Sequence, residues 1–180
     1  MSQTLPSVLN AEQNYQQLVE QIQALLQPNT CLVGVQSKGV LIAKRMQQEL
    51  SLANPMGTIS SSMHRDDYKI RGMSKAQATH LPFEVNGADI LLIDDVLYTG
   101  RTVRAIINEL FDFGRPARIR LAVLVDRNEK QLPITADVSG VRLNDNDRLS
   151  GSLTLIQNTS GKFDFEYLSP ATLQSQEVLV

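Results

Sequence analysis

One run of the chain constrains its fold more than any other, because a short apolar strand ends in two carboxylates and leads through a turn of small residues into a helix. The strand covers residues 90–93, and Asp94 and Asp95 follow it directly. A uniformly apolar strand of this kind is typical of a parallel sheet that is covered on both faces. The helix that follows has apolar residues at helical spacing on one face, namely Val103, Ile106, Ile107, Leu110 and Phe111, and Gly114 and Pro116 end it.

The turn between strand and helix has the composition of a phosphate site. It contains Thr99, Gly100 and Thr102, and the first N–H groups of a helix, together with its dipole, favour an anion. Two carboxylates beside a phosphate would repel it unless the ligand also presents hydroxyls, a metal ion or a carbon that becomes positive. A sugar phosphate offers all three. The simpler alternative is that Asp94 and Asp95 only end a strand and that Thr102 caps the helix.

Strands and helices alternate along the chain, which predicts an α/β fold with a doubly wound, mostly parallel sheet flanked by helices. Ligands of such sheets bind at the carboxyl ends of the strands, where the two carboxylates lie. Helices are predicted over residues 10–27 and 39–51 and after the turn that contains Thr102, and strands over residues 31–35, 55–60, 90–93, 118–126, 136–143 and 152–157. Residues 61–81 lose apolar periodicity and are interpreted as a functional loop or disorder. We expect one domain over residues 1–172 and a flexible tail over residues 173–180.

Composition narrows the possible functions. The chain has 180 residues and a net charge of −2, so no overall basic field attracts nucleic acid. It has no apolar span long enough to cross a membrane and no signal peptide, so a cytoplasmic location is expected. Cys31 is the single cysteine and lies in an apolar run, which indicates a packed side chain rather than a nucleophile or metal ligand.

The run from Val96 through Thr102 to Ala105 resembles the ribosyl-phosphate signature of the type I phosphoribosyltransferases. More narrowly, it is similar to the PyrR family, which comprises uracil phosphoribosyltransferases that can also regulate pyrimidine operons. The likeness covers roughly residues 30–140 and continues through Gly114-Arg115-Pro116 and the run that ends at Asp126-Arg127. It implies the type I phosphoribosyltransferase fold, with a small hood formed by terminal segments, and a homo-oligomer, either a dimer or a tetramer.

The resemblance also implies roles for residues at the strand ends. The donor would be phosphoribosyl pyrophosphate, and its 5′-phosphate would bind the loop that comprises Val96, Leu97, Tyr98, Thr99, Gly100, Arg101 and Thr102. Asp94 and Asp95 would hold the ribose hydroxyls and a Mg²⁺ ion, and as fixed carboxylates they would stabilise the oxocarbenium-like C1. The pyrophosphate would bind Ser37, Lys38 and Gly39, and a peptide bond before or after Lys38 is predicted to be strained or cis.

Two further regions receive roles from the resemblance. Residues 61–81 would form the loop that closes over pyrophosphate, in which Arg65 would act catalytically by neutralising leaving-group charge and Asp66 and Asp67 would contact the substrate. The acceptor, a pyrimidine base and most readily uracil, would lie beside Asp126 and Val138. Val138 stands where relatives carry an aromatic residue, and its lost stacking is worth on the order of 1 kcal/mol.

A second function on the same fold, a nucleotide-sensing RNA-binding regulator with weak catalysis, remains the alternative. The N-terminal 37 residues contain only Glu12 and Glu20 as charged side chains, so this segment cannot release counterions from RNA phosphates. A basic patch would need other residues to meet in space, namely Arg115, Arg118, Arg120, Arg142 and Arg148. Arginines near strand ends are more often solvated, so we expect RNA binding, if present, to be weak.

Overall fold

The computed structural model of the chain describes residues 5–60, 78–170 and 172. Within them a five-stranded parallel sheet has the strand order β2-β1-β3-β4-β5, and a separate antiparallel hairpin consists of β6 and β7. The elements, in chain order, are α1 (Ala11–Gln23), β1 (Thr30–Val35), α2 (Lys38–Glu49), β2 (Gly57–Ile59), β3 (Asp89–Leu97), α3 (Arg101–Phe113), β4 (Arg118–Asp126), β5 (Val138–Arg142), β6 (Ser152–Gln157) and β7 (Phe163–Leu168).

The predicted doubly wound sheet is confirmed, and β3 lies at its centre. Leu91 and Ile93 face a core that also contains the apolar sides of α1 and α2. Ile90 and Leu92 face a second core that contains the apolar side of α3. Because successive side chains of a strand point to opposite faces, a strand covered on both sides must be apolar at every position. This burial on both faces accounts for the uniform run at residues 90–93.

The central strand extends further than its apolar run indicates. β3 continues through both carboxylates to Leu97, where Val96 pairs with Val125 and Leu97 with Asp126. The apolar run predicts that this strand ends at residue 93 and that Val96 and Leu97 belong to the loop, so the strand is longer than predicted. Pairing with β4 keeps the backbone extended there, so Asp94 and Asp95 lie within the sheet, close to its carboxyl edge.

Helix α1 begins as predicted, and its cap is formed by Asn10. The side chain of Asn10 accepts a hydrogen bond from the N–H of Gln13 at 3.0 Å, which satisfies one free donor of the first turn. The helix ends at Gln23, four residues before its predicted end, because the N–H groups of Leu25 and Leu26 both turn back to the carbonyl of Ile22. Pro28 therefore lies in the loop beyond the helix.

A network of charged and aromatic side chains binds the hairpin to the helices. Arg45 of α2 donates to Glu12 of α1 at 2.7 Å and to Glu49 at 2.8 Å. Its guanidinium lies over the rings of Tyr15 and Phe163, 4.2 Å and 4.9 Å from their centroids. The hydrogen bond from Arg45 lowers the pKa of Glu12. Strand β7, to which Phe163 belongs, was not predicted, although its apolar residues alternate with acidic ones.

At the amino edge of the sheet, a buried carboxylate binds two of the arginines that were considered for an RNA-binding patch. Asp89 accepts hydrogen bonds from Arg118 at 2.9 Å, from Arg120 at 2.7 Å and from Thr30 at 2.8 Å. The hydrogen bond from Arg118, followed by those from Thr30 and the charge of Arg120, lowers the pKa of Asp89 although burial opposes the shift. This cluster fixes the starts of β1, β3 and β4 against one another.

Candidate active site

The carboxyl ends of β1, β3 and β4 meet at one edge of the sheet, and the predicted ligand-binding segments follow these ends. The register places Leu97 beside Asp126 and Gly34 beside Ile93. The loop before α2 and the loop before α3 therefore flank the two carboxylates. This arrangement brings the predicted phosphate, ribose and pyrophosphate residues to the same edge.

The loop before α3 leaves the first turn of the helix without a side-chain cap. Gly100 is the N-cap residue, with a φ of 88° in the left-handed region that favours glycine. Thr102 lies inside the helix, so the alternative in which its side chain caps α3 is wrong. The N–H of Arg101 contacts the hydroxyl of Thr99 at 3.3 Å, at the long end of the range for a hydrogen bond. An uncapped first turn can offer its amides to an anion.

The loop before α2 also leaves the first turn of its helix without a side-chain cap. Its N-cap residue, Ser37, makes no side-chain hydrogen bond to the helix. The N-terminus of α1 shows the contrast, because the side chain of Asn10 caps it. A cis peptide joins Gln36 to Ser37, one bond earlier than the two bonds flanking Lys38 for which it was predicted, so that prediction had the right loop and the wrong position.

Gly39 brings the α2 loop into direct contact with the central strand. A Cβ atom on Gly39 would lie 2.2 Å from the carbonyl oxygen of Ile93 and 3.0 Å from the Cα of Asp94. Real Cβ atoms essentially never approach closer than 3.0 Å. The absence of a side chain at Gly39 therefore sets the distance between the predicted pyrophosphate loop and the carboxylates.

The two carboxylates differ in burial and in partners. Asp94 is only 6% exposed, and its Oδ1 accepts a hydrogen bond from the N–H of Asp95 at 2.9 Å. Asp95 is half-buried, and its Oδ2 accepts from the N–H of Leu155, in β6, at 3.3 Å. The hairpin thus reaches the site and contacts one of the two predicted metal and ribose ligands through its backbone.

At the end of β4, Asp126 is fully buried and interacts with three groups. It accepts hydrogen bonds from the N–H of Asn128 at 2.8 Å and from Arg142 at 2.9 Å. Lys130 approaches the same carboxylate at 3.5 Å. The carboxylate is therefore held in place beside the end of β3, where the sequence analysis expects the base.

Val138 does not lie at this edge. It begins β5 and pairs with Ala122, four residues before Asp126 on the neighbouring strand, or about 13 Å at roughly 3.3 Å per residue. Its side chain packs against the core shared by α1 and α2. The prediction that Val138 lies beside the base is wrong because the sequence does not reveal the register of β5, in which Arg142, at the far end of the strand, pairs with Asp126.

Arg127 was not predicted as a site residue, and the structure places it between the end of β4 and the ring of Tyr98. Arg127 is buried, and its guanidinium lies 4.0 Å from the ring centroid of Tyr98. The only sequence signal was its position directly after Asp126. The other predicted loop residues, Arg65, Asp66 and Asp67, lie outside the described residues.

The parallel sheet, the two uncapped helix starts and the paired carboxylates fit a phosphoribosyltransferase, and a family match shows that the chain belongs to this class. Residues 4–152 match the family described as "Phosphoribosyl transferase domain". The hypoxanthine phosphoribosyltransferase of Trypanosoma cruzi in complex with its product IMP superposes with a TM-score of 0.63 at 16% identity, covering 95% of this chain and 94% of the other. A hypoxanthine-guanine phosphoribosyltransferase from Bacillus anthracis gives a TM-score of 0.61 at 17% identity, covering 79% of this chain and 86% of the other. These likenesses concern the fold.

Within that class, the chain belongs to the PyrR family. It is 49% identical to the bifunctional protein PyrR of Ralstonia nicotianae, covering 75% of this chain and 80% of the relative. It is 41% identical to the bifunctional protein PyrR of Nitrosococcus oceani, covering 77% and 79%. The corresponding protein of Listeria monocytogenes is 39% identical, covering 72% and 76%. The resemblance to this family that the sequence indicated is confirmed.

Proposed function

We propose that the protein transfers ribose 5-phosphate from phosphoribosyl pyrophosphate to uracil, giving UMP and pyrophosphate. One observation carries the proposal: two helices begin without side-chain caps on either side of two carboxylates at the same sheet edge. A donor with phosphate groups at both ends and a ribose between them matches this spacing. Membership of the PyrR family supports uracil as the acceptor.

In the reaction, the bond from C1 of the ribose to pyrophosphate breaks, and a bond from C1 to N1 of uracil forms with loss of the N1 proton. We assign the 5′-phosphate to the amides of residues 99–102 and the pyrophosphate to Ser37, Lys38 and Gly39. Asp94 and Asp95 bind the ribose hydroxyls and stabilise the positive charge that develops at C1. Because the hairpin fixes Asp95 beforehand, little reorganisation is needed as that charge appears.

We also propose that the site uses Mg²⁺. The carboxylates of Asp94 and Asp95 are hard oxygen ligands, and Mg²⁺ is usually held by one or two protein carboxylates together with substrate phosphates. When bound, the ion offsets the charge of the departing pyrophosphate. Arg65, Asp66 and Asp67 are proposed to close over the pyrophosphate, as the family resemblance implies, and Asp126 to line the base side.

The test is UMP formation from phosphoribosyl pyrophosphate and uracil in the presence of Mg²⁺, with cytosine, orotate and hypoxanthine as competing acceptors. We expect uracil to give the highest kcat/KM. Preferred transfer to a purine or to orotate would refute the choice of acceptor, and no transfer to any base would refute the proposed reaction.

Gel filtration of the same sample tests the expected homo-oligomer, and the proposed cytoplasmic location is tested by cell fractionation.

Leader-RNA binding is a second candidate function, because the relatives are named bifunctional. Four of the five arginines considered for a basic patch interact with carboxylates instead: Arg118 and Arg120 with Asp89, Arg142 with Asp126, and Arg148 with Asp145 at 2.8 Å. We therefore expect weak, non-specific binding of a pyrimidine-operon leader near physiological salt. Sub-micromolar, sequence-selective binding that UMP strengthens would overturn this expectation.

Within the described residues, no helix is long and apolar enough to span a membrane.

A further inference from the structure

Arg127 connects three segments that are distant in sequence. Its backbone N–H donates to the carbonyl of Leu97 at 2.9 Å, and its guanidinium stacks on the ring of Tyr98. The guanidinium also donates to the carbonyl of Gly151 at 2.8 Å and to the carbonyl of Leu149. Glu129 accepts from the same group at 3.0 Å. Arg127 thus joins the end of β3, the segment after β4 and residues 149–151.

The burial of Arg127 indicates a role in fixing the positions of its partners. Its side chain is only 4% exposed, and removing a cation from water carries a large desolvation cost. Replacing a buried ion pair by apolar groups of similar volume is often neutral or even stabilising. A buried guanidinium whose partners come from several segments is best explained by the fixed positions that it imposes on them.

The 5′-phosphate part of the loop is held by other contacts. The N–H of Gln131 donates to the carbonyl of Thr99 at 3.1 Å, and Arg101 donates to the side chain of Gln131 at 3.1 Å. A Cβ atom on Gly100 would lie 3.4 Å from Ile134 and 3.5 Å from Leu132, so these side chains border the loop. Loss of Arg127 would therefore release Tyr98 and residues 149–151 while the phosphate-binding residues stay in place.

Residues 149–151 belong to the segment that connects β5 to β6 and passes the end of β4. Arg142, at the end of β5, contacts Asp126, and Gly151 leads into β6. The hydroxyl of Tyr167 accepts a hydrogen bond from the N–H of Gly151 at 3.0 Å. The segment is therefore held from two sides, by Arg127 at its carbonyls and by Tyr167 at an amide, on the side of the site that the proposed function assigns to the base.

We propose that Arg127 is a positioning residue that holds Tyr98 and residues 149–151 at the spacing that admits the base of the nucleotide. The proposal rests on the proposed function for the identity of the base. It assigns Arg127 no contact with substrate. It predicts that affinity for the base part of a nucleotide depends on Arg127, whereas affinity for the ribose phosphate part does not.

The experiment compares the binding of UMP with that of ribose 5-phosphate by calorimetry in the presence of Mg²⁺. Arg127→Met removes the charge and the forked donors at similar volume, and Arg127→Lys retains the charge and one donor group. Arg118→Met makes the same change in an arginine that binds Asp89 at the opposite edge of the sheet. Arg127→Met is expected to weaken UMP binding about tenfold, because small displacements of a supporting group have effects of this size or larger.

The pattern of affinities decides the outcome. Ribose 5-phosphate binding is expected to change less than about twofold in Arg127→Met, UMP binding to recover in part in Arg127→Lys, and both affinities to be unchanged in Arg118→Met. Equal weakening of both ligands, or no weakening of UMP, would overturn the proposal. If Arg127→Met does not fold, the ratio of the two affinities in Arg127→Lys decides in the same way. Failure of the wild type to transfer ribose phosphate while it still binds UMP would refute the proposed function and leave this test of Arg127 intact.

Discussion

Replacement of Gly39 by alanine tests whether contact between the α2 loop and β3 sets the geometry of the site. A Cβ at this position would lie 2.2 Å from the carbonyl oxygen of Ile93, whereas ordinary contacts begin at 3.4 Å. The loop and the strand must therefore separate by about 1.2 Å, the difference between these distances. The added Cβ would be attached to the backbone of the α2 loop, and the Ile93 oxygen belongs to the backbone of β3. No flexible side chain can therefore move to relieve the clash.

The expected effects follow from that displacement. Overpacking of this kind costs about 3 kcal/mol of unfolding free energy, which lowers Tm by roughly 6–12 °C in a domain of this size. A misplacement of about 1 Å in a catalytic arrangement reduces the rate about 100-fold. We therefore expect Gly39→Ala to lower kcat/KM for phosphoribosyl pyrophosphate about 100-fold at a temperature where the variant is fully folded.

The control is Gly87→Ala, which lies before β3, away from the site. Gly87 has a φ of 73° and no atom within 4 Å of an added Cβ, so alanine there costs about 1 kcal/mol of backbone strain and leaves kcat/KM unchanged. Thermal unfolding and steady-state kinetics of the two variants separate a clash at the site from general destabilisation. If Gly39→Ala keeps kcat/KM within threefold of the wild type, Gly39 does not set the distance between loop and carboxylates.

Three further predictions concern the carboxylates and the metal ion. The double variant Asp94→Asn, Asp95→Asn is expected to keep its circular dichroism spectrum and lose at least about 1,000-fold in kcat, and turnover near that of the wild type would refute the proposed mechanism. EDTA should suppress donor binding and turnover together, and Mg²⁺ should restore both, so metal-independent turnover would contradict the metal proposal. Because the pKa of Asp89 is lowered in the folded state, its contribution to stability is fully present above its unfolded pKa of about 3.9. The contribution is lost as the pH falls from there through the lower pKa of the folded state. Asp89→Asn should therefore flatten the acid limb of urea-unfolding free energy against pH, and an unchanged limb would show that Asp89 does not contribute to it.

Local patterns predicted much of the fold. Helix α1 begins at the predicted cap, and β4 and β6 have the predicted bounds, because capping and apolar runs act over a few residues and are visible in the chain. The end of β3 was placed too early, because the extension to Leu97 depends on pairing with β4. The alternating apolar and acidic residues of β7 are typical of a half-exposed strand, although this strand was not predicted.

The candidate site, like the fold, could be predicted from the sequence only in part. The chemistry of Asp94, Asp95 and the residue types of both loops could be read from consecutive residues, since one strand end and the following turn contain them. The positions of Val138 and Arg127 could not, because they depend on the register of β5 and on contacts between segments more than 20 residues apart in sequence, as in the hydrogen bond from Arg127 to Gly151.

By itself the sequence determined the fold class and the family and predicted which edge of the sheet binds ligands, because each depends on short runs of residues whose local physics is the same in any chain. The tertiary structure alone decided which side chains meet at that edge. It brought Gly39 against Ile93, Leu155 to Asp95 and Arg127 to Tyr98. Such contacts arise from the packing of distant segments, where a shift of one residue in strand register would move every side chain to the other face of the sheet.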